Sequence, residues 1–240
     1  MNNYLFYILL GIAPSIIWLL FYLKKDKKPE PKSKILQVFG GGVAAALLAA
    51  VAETIILKKL LGLEALGRAT KIILIFLIIA FIEEILKYLV VRLLVFKDSE
   101  LDEPIDIVIY MIIAALGFAA LENVFLFFSE QLQIFETILI ASLRFIGATF
   151  LHALSSGILG FFIALWFSKN KKNVILLFIG ISFSVILHAL YNFFIIKTDS
   201  FWRFALPGML LIFLAGFLGF CFKKLKSMKS VCQTEMESRR

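Results

Sequence analysis

Long apolar stretches fill most of this 240-residue chain, and short charged connectors separate them. An α-helix needs about 20 residues to cross a bilayer core of roughly 30 Å. The pattern predicts an all-α membrane bundle of about seven transmembrane helices, with eight as the upper count. The fifth stretch exceeds the required length and is expected to tilt or project from the bilayer. The predicted spans are Tyr4–Leu23, Ile35–Leu57, Ile72–Phe96, Ile105–Phe128, Thr137–Phe167, Val174–Ile196 and Phe201–Phe222.

Composition supports a membrane protein, because hydrophobic residues make up 61% of the chain and about 45–50% of a typical soluble domain. We expect a single transmembrane domain at 1–222, followed by a short basic cytoplasmic tail at 223–240. The first span is predicted to be a retained anchor, since no basic residue precedes it and no small-residue cleavage site follows it.

Basic residues are divided unevenly between the connectors. With the N-terminus outside, the inner connectors and the tail hold 16 Lys and Arg residues and the outer ends hold 6. The positive-inside rule therefore predicts an outer N-terminus and an inner C-terminus. The net charge of +8 implies no nucleic-acid partner, because basic segments that face anionic lipid account for it. Cys221 and Cys232 fall on the reducing inner side, so we expect no disulfide.

Four predicted spans offer polar groups at similar depth. Ionisable groups are costly in hydrocarbon and usually face a bundle interior or a water-filled cavity. At 1.5 Å per residue, the carboxylates and histidines lie about 9 to 20 Å below the outer ends of their spans. One cavity can reach that range of depths. The groups are Glu83, Glu84 and Lys87, then Glu122 and Asn123, then Arg144 and His152, and finally His188 and Asn192.

Purely structural explanations also exist for these groups. Glu83 and Lys87 are four residues apart and can form an ion pair within one helix, which leaves Glu84 without a local partner. Glu122 lies near the outer end of its span and can reach headgroup water. Arg144 can extend its long side chain to the same interface.

Two kinds of peptide hydrolysis fit the set. A Glu beside a His can position and deprotonate water, and His188 and Asn192, on one helix face, can donate to a developing oxyanion. Alternatively, Glu83, Glu122, His152 and His188 are suitable Zn²⁺ ligands with an open position for water. The H-E-x-x-H helix is absent, so a metal site would need several helices. The residues leave both mechanisms open.

Serine chemistry has less support. Ser155 and Ser156 follow His152, but no G-x-S-x-G elbow or Ser–Lys arrangement accompanies them. Two other functional classes stay open on the residues alone. One is an ion- or proton-coupled transporter, although inverted repeats and broken helices are not evident. The other is a non-enzymatic membrane chaperone or immunity protein that binds a partner.

An ordered set of motifs runs through most of the chain. It consists of Pro14, Tyr22, Asp26, Glu30-Pro31, Glu83-Glu84-Ile85-Leu86-Lys87, Asp102-Glu103-Pro104, Asp106, Leu116-Gly117-Phe118, Glu122-Asn123, Arg144, His152, Gly160 and His188-Ala189-Leu190-Tyr191-Asn192. Each motif alone is weak, whereas four in order on four spans are fairly specific. In this set the chain resembles the PrsW family of bacterial intramembrane proteases, relatives of the CAAX-processing and bacteriocin-immunity (Abi) membrane proteases.

The resemblance implies hydrolysis of a membrane-anchored protein or peptide at a bacterial cytoplasmic membrane. Some relatives make the first, site-1 type cut in an anti-sigma factor on its extracytoplasmic side. By motif, Glu83 and His152 would activate water, and His188 and Asn192 would hold the oxyanion. Zn²⁺ stays open as a cofactor, as does the choice of base between Glu83 and Glu84. Supporting roles would fall to Glu84, Lys87, Glu122, Asn123 and Arg144.

Overall fold

The fold comes from a computed structural model that describes residues 4–25, 28–62, 66–97, 101, 103–130, 133–168, 173–198 and 201–228. Those ranges contain eight α-helices and no strand, which confirms the all-α prediction. The helices are α1 (Tyr4–Leu23), α2 (Lys32–Leu61), α3 (Arg68–Leu94), α4 (Pro104–Glu130), α5 (Ile134–Ile146), α6 (Ala148–Ser168), α7 (Val174–Lys197) and α8 (Trp202–Lys226). Asp26, Asp102 and the tail from 229 to 240 lie outside the described residues.

Six stretches among the described residues are long and apolar enough to cross a membrane, with α5 and α6 counted together. The chain is therefore an integral membrane protein with a polytopic helical bundle. Helix α3 is not among the six, because Glu83, Glu84 and Lys87 interrupt its apolar sequence. These three side chains are buried inside the bundle.

The fifth predicted span, Thr137–Phe167, is not one helix: α5 ends at Ile146 and α6 begins at Ala148. Gly147 separates them with φ −107° and ψ −101°, outside the helical region. A Cβ at this position would collide with the hydroxyl of Tyr191. The apolar pattern continues through the break, so no change of composition marks it. The break redirects α5 relative to α6.

Helix α4 lies at the centre of the bundle. Every residue from Pro104 to Ala120 is buried, as expected of a helix that is apolar on all sides. Helix α2 approaches α4 at backbone distance, because a Cβ on Gly42 would meet the Ala114 carbonyl and one on Gly117 would meet the Phe39 carbonyl. Small residues permit such close approach in membrane bundles. This contact fixes which face of α2 turns inward.

Helix α6 is the second interior helix and packs against both α4 and α7. Helix α3 contacts α4, α6 and α7. Large apolar side chains on the outer faces of α1, α2, α7 and α8 stay exposed, as a lipid-facing surface requires. The five helices that carry the predicted polar motifs, α3 to α7, therefore meet in the interior of the bundle.

Candidate active site

A cavity of about 510 Å³ lies between these helices. Its wall includes most of the predicted site residues, which five different helices bring together. Glu84, Lys87 and Asn123 do not line it and lie behind the wall. The polar lining residues are Glu53, Glu83, Glu122, Arg144, His152, His188, Tyr191 and Asn192.

Lys87 is the cation of the α3 cluster and is fully buried. Its Nζ donates to Glu84 Oε1 over 2.9 Å and to Glu83 Oε2 over 3.3 Å, and it lies 4.4 Å from the centre of the Phe118 ring. Positions three and four residues apart share a helix face, so one ammonium reaches both carboxylates. The prediction that Glu84 lacks a local partner is therefore wrong.

Glu84 is enclosed by hydrogen-bond donors and has no exposed surface. Its Oε2 accepts from Ser156 Oγ at 2.8 Å and from Ser184 Oγ at 3.0 Å. Its Oε1 lies 3.3 Å from Ser155 Oγ and 3.0 Å from His188 Nδ1. A carboxylate with this many donors is held as an anion in a fixed orientation.

This structural role of the serines was not among the predictions from sequence. A signal was present in their spacing, since Ser155 and Ser156 follow His152 by three and four residues. Ser184 precedes His188 by four residues. At these separations a hydroxyl shares a helix face with the histidine. Small hydroxyl residues on the histidine face of two helices therefore indicate a buried acceptor between them.

Glu83 faces the cavity instead. Its Oε2 lies 3.7 Å from His152 Nδ1 and 3.8 Å from His188 Nε2. The two imidazole rings meet edge to face, with 5.0 Å between their centres. One carboxylate oxygen of Glu83 is thus positioned between two histidines, at the wall of the cavity.

Glu122 and Arg144 hold the far side of His152. Glu122 Oε2 lies 2.7 Å from His152 Nε2, and its Oε1 pairs with Arg144 Nη2 at 3.0 Å. Both side chains are therefore engaged in the site, although 40% of the Glu122 side chain stays exposed. The break at Gly147 places Arg144 in the last turn of α5 and His152 in the first turns of α6, so both can face Glu122 from α4.

Asn123 ties this group to the rest of the bundle and is buried. Its Oδ1 accepts a hydrogen bond from Arg144 Nε. Its Nδ2 donates to the Gly11 carbonyl at 3.2 Å and to Thr149 Oγ1 at 3.1 Å. The amide therefore connects α1, α4, α5 and α6, which fixes the direction of the Arg144 guanidinium.

Asn192 lies four residues after His188 on α7, and both side chains line the cavity. The structure thus brings this predicted pair to one wall. Asn192 is half-buried, whereas His188 is 1% exposed. With Glu84 on His188 Nδ1, only His188 Nε2 is directed toward Glu83 and the cavity.

Glu83, His152 and His188 each offer one ligand atom, and these atoms lie within 4.8 Å of one another. Two histidines and one glutamate form a donor set found in catalytic zinc sites. The other nitrogen of each histidine contacts a carboxylate, Glu122 or Glu84, as is usual for metal-bound histidines. The three residues therefore fit Zn²⁺. Glu122 binds the far nitrogen of His152 and stands outside this group.

Lys87 occupies one of the atoms that would bind the metal ion. Its Nζ lies 2.9 Å from His152 Nδ1, the nitrogen that also faces Glu83. Because a single lone pair serves that nitrogen, the ammonium and a metal ion would compete for it. Zinc binding at these three residues therefore requires Lys87 to turn away from His152 while it keeps its contact with Glu84.

The chain is similar to a family of membrane proteases. Residues 30–219 match the model of a family described as "PrsW family intramembrane metalloprotease". "Protease PrsW" of Geobacillus kaustophilus (strain HTA426) is 30% identical over 79% of both chains. The Bacillus subtilis (strain 168) protein of that name is 29% identical over 92% of this chain and 94% of the relative. No solved structure matches the chain significantly.

The family model covers most of the chain, and the curated relatives align with most of its length. The resemblance inferred from the motifs is confirmed, and the assignment as a membrane hydrolase with it. The transporter and non-enzymatic alternatives are set aside. This chain belongs to the PrsW family of intramembrane metalloproteases.

Proposed function

We propose that this protease hydrolyses a peptide bond of a membrane-anchored protein or peptide, with Glu83 as the carboxylate that acts on the attacking water. One observation carries the assignment. Glu83 lines the cavity and has its Oε2 within 3.8 Å of both histidines, whereas Glu84 is fully enclosed and occupied by donors. A general base must reach the proton that it removes.

In the metal-independent mechanism, water lies beside Glu83 Oε2 and attacks the carbonyl carbon of the scissile bond. Glu83 accepts the proton of this water and then transfers it to the leaving amine nitrogen as the C–N bond breaks. His152 lies next to the same oxygen and orients the water. His188 and Asn192, on the same wall, donate to the oxyanion of the tetrahedral intermediate.

The surrounding carboxylates determine which imidazole nitrogen carries a proton. If His188 Nδ1–H donates to Glu84, neutral His188 has a lone pair at Nε2. That form accepts and cannot donate to an oxyanion. The metal-independent mechanism therefore requires His188 as an imidazolium, held between Glu84 and Glu83. The neutral form suits ligation instead.

The metal-dependent mechanism uses the same residues in other roles. When bound to Glu83, His152 and His188, Zn²⁺ would supply Lewis acidity toward the carbonyl and lower the pKa of its water. Glu122 and Glu84 would then fix the two imidazoles by accepting from their outer nitrogens. The family description as a metalloprotease favours this version.

We further propose an extracytoplasmic cut, in a substrate such as an anti-sigma factor. The cavity is lined by the second half of α4 and by the second half of α7. Both helices end on the side that the distribution of basic residues predicts to be outside. The position of the cavity near those helix ends supports a cut outside the cytoplasm, with the N-terminus outside and the C-terminus inside.

The test uses purified protein in proteoliposomes with a membrane-anchored anti-sigma factor as substrate. We expect Glu83→Ala, His152→Ala and His188→Ala each to abolish cleavage while the protein stays folded. Glu130→Ala, an exposed glutamate at the end of α4, is the matched control. Cleavage at the wild-type rate by all three site variants would overturn the proposal.

A further inference from the structure

A carboxylate that the proposed mechanism does not use lies in the same cavity. Glu53 lines it from α2 and was not among the site residues predicted from sequence. Ala46, Ala49 and Ala50 line the cavity beside it, at seven, four and three residues before Glu53. This spacing is one helix face. Glu53 therefore lies at the end of a smooth, small-residue wall.

Glu53 differs from the other cavity carboxylates in its partners. Lys87 pairs with Glu83 and Arg144 pairs with Glu122. The Oε1 of Glu53 is buried and has no hydrogen-bond partner among the described residues. A buried carboxylate oxygen without a donor is unfavourable, so a group that supplies one binds there with a free-energy gain.

The charge of the site indicates which group that is. With neutral histidines, the paired cluster contains the carboxylates of Glu83, Glu84 and Glu122 and the cations of Lys87 and Arg144. It is one positive charge short, which protonated His188 supplies in the metal-independent mechanism and a bound metal ion would supply in the other. The charge of an ionised Glu53 is then the one that has no counter-ion in the cavity. A cationic side chain satisfies both the excess charge and the missing donor.

We propose that Glu53 is a specificity-determining residue that binds a Lys or Arg side chain of the substrate. This inference rests on the proposed proteolytic function and adds a subsite to it. The small alanines beside Glu53 leave the width that a long basic side chain needs. The carboxylate at the end of that wall receives its ammonium or guanidinium group.

The contact between α2 and α4 gives the position of this subsite. Gly42 meets α4 between Ala114 and Phe118, and both helices run in the same direction. Measured from this contact toward the C-terminal ends of the two helices, Glu53 lies about five residues beyond the level of Glu122. This is about 8 Å at 1.5 Å per residue. An extended chain spans this distance in roughly two to four residues. The basic residue therefore lies that far from the scissile bond, toward the side where α2 ends.

The experiment uses the full chain in proteoliposomes and a substrate library. Each library member has one transmembrane helix followed by a randomised extracytoplasmic segment, and cleaved members are identified by sequencing. We expect wild type to enrich Lys and Arg by about tenfold at one position near the cut, as one charged hydrogen bond provides. Glu53→Gln abolishes this enrichment, and Glu53→Lys replaces it with enrichment of Asp and Glu. Thr54→Ala, an exposed neighbour on α2, keeps the wild-type profile.

The outcomes separate the two proposals. If wild type leaves the library uncut, the proposed function itself fails. If wild type cuts without a basic preference, or if all Glu53 variants keep the same preference, only the Glu53 subsite is overturned. A cut that loses efficiency in Glu53→Lys without any change of sequence profile also overturns it, because Glu53 then serves only the structure of the wall. Folding is checked by thermal unfolding of each variant, and Gln retains the size of Glu.

Discussion

Replacing each glutamate of the α3 pair by glutamine separates catalysis from structure at adjacent positions. Glu83→Gln loses one 3.3 Å contact with Lys87 at the cavity wall, and its stability cost is about 1–3 kcal/mol. The oxygen that accepts the water's proton loses its charge, so kcat falls by about 10²–10⁴. This variant is expected to be folded and nearly inactive.

In Glu84→Gln we expect a larger loss of stability and a smaller loss of activity than in Glu83→Gln. Glu84 accepts from Lys87, His188 and three serine hydroxyls. Glutamine replaces one acceptor oxygen with an NH₂ group, which faces other hydrogen-bond donors and cannot accept from them. Lys87 is left with Glu83 as its only anionic partner in the cluster. Breaking a buried ion pair on one side costs about 3–5 kcal/mol. The free energy of unfolding therefore falls much more than in Glu83→Gln.

Unfolding in detergent, followed by fluorescence, gives the stability of each variant. Initial rates per folded molecule give the activity. The expected pattern is a stable, inactive Glu83→Gln and an unstable Glu84→Gln that retains more activity per folded molecule. A stable, inactive Glu84→Gln beside an active Glu83→Gln would refute the assignment and make Glu84 the base.

Three further predictions concern the residues around the pair. Glu122→Gln weakens the orientation of His152, so activity falls about 10–100-fold while the free energy of unfolding changes less than in Glu84→Gln; an unchanged kcat/KM would contradict this. In Gly147→Ala the added methyl group meets the Tyr191 hydroxyl, which lowers the free energy of unfolding by about 1–3 kcal/mol. Adding Tyr191→Phe restores part of this loss. Equal unfolding curves for the single and double variants would argue against the contact. If the metal-dependent mechanism operates, purified enzyme contains Zn²⁺, a chelator removes the activity and added Zn²⁺ restores it. The His188→Ala variant then contains no stoichiometric metal by elemental analysis. Activity that survives complete removal of the metal excludes this mechanism.

Much of the fold could be predicted because each span carries a continuous apolar run of sufficient length. The convergence of the motifs was also predictable, since ionisable groups such as Glu83 and His152 avoid lipid and are driven to a shared interior. The break at Gly147 was not, because the apolar sequence continues on both sides and the Tyr191 hydroxyl that packs against Gly147 lies on another helix.

Glu53 shows a second limit of sequence reasoning. It lies five and six residues before Lys58 and Lys59, where a charge is ordinary near a membrane surface. Its direction depends on the rotation of α2, which the contact of Gly42 with α4 sets. A hydrophobic pattern cannot give that rotation when both faces of a helix are apolar. Packing between helices, rather than local sequence, therefore brought this carboxylate into the cavity.

The two mechanisms make incompatible demands on the same histidine. As an imidazolium, His188 donates to Glu84 and to the oxyanion, and its charge balances the excess carboxylate in the paired cluster. As a zinc ligand it must be neutral at Nε2, and the metal supplies the balancing charge instead. Lys87 adds a matching constraint at His152 Nδ1, where its N–H and a metal ion need one lone pair. Zinc binding therefore excludes both a protonated His188 and a Lys87–His152 hydrogen bond. The enzyme can use the metal-dependent or the metal-independent mechanism but cannot combine them.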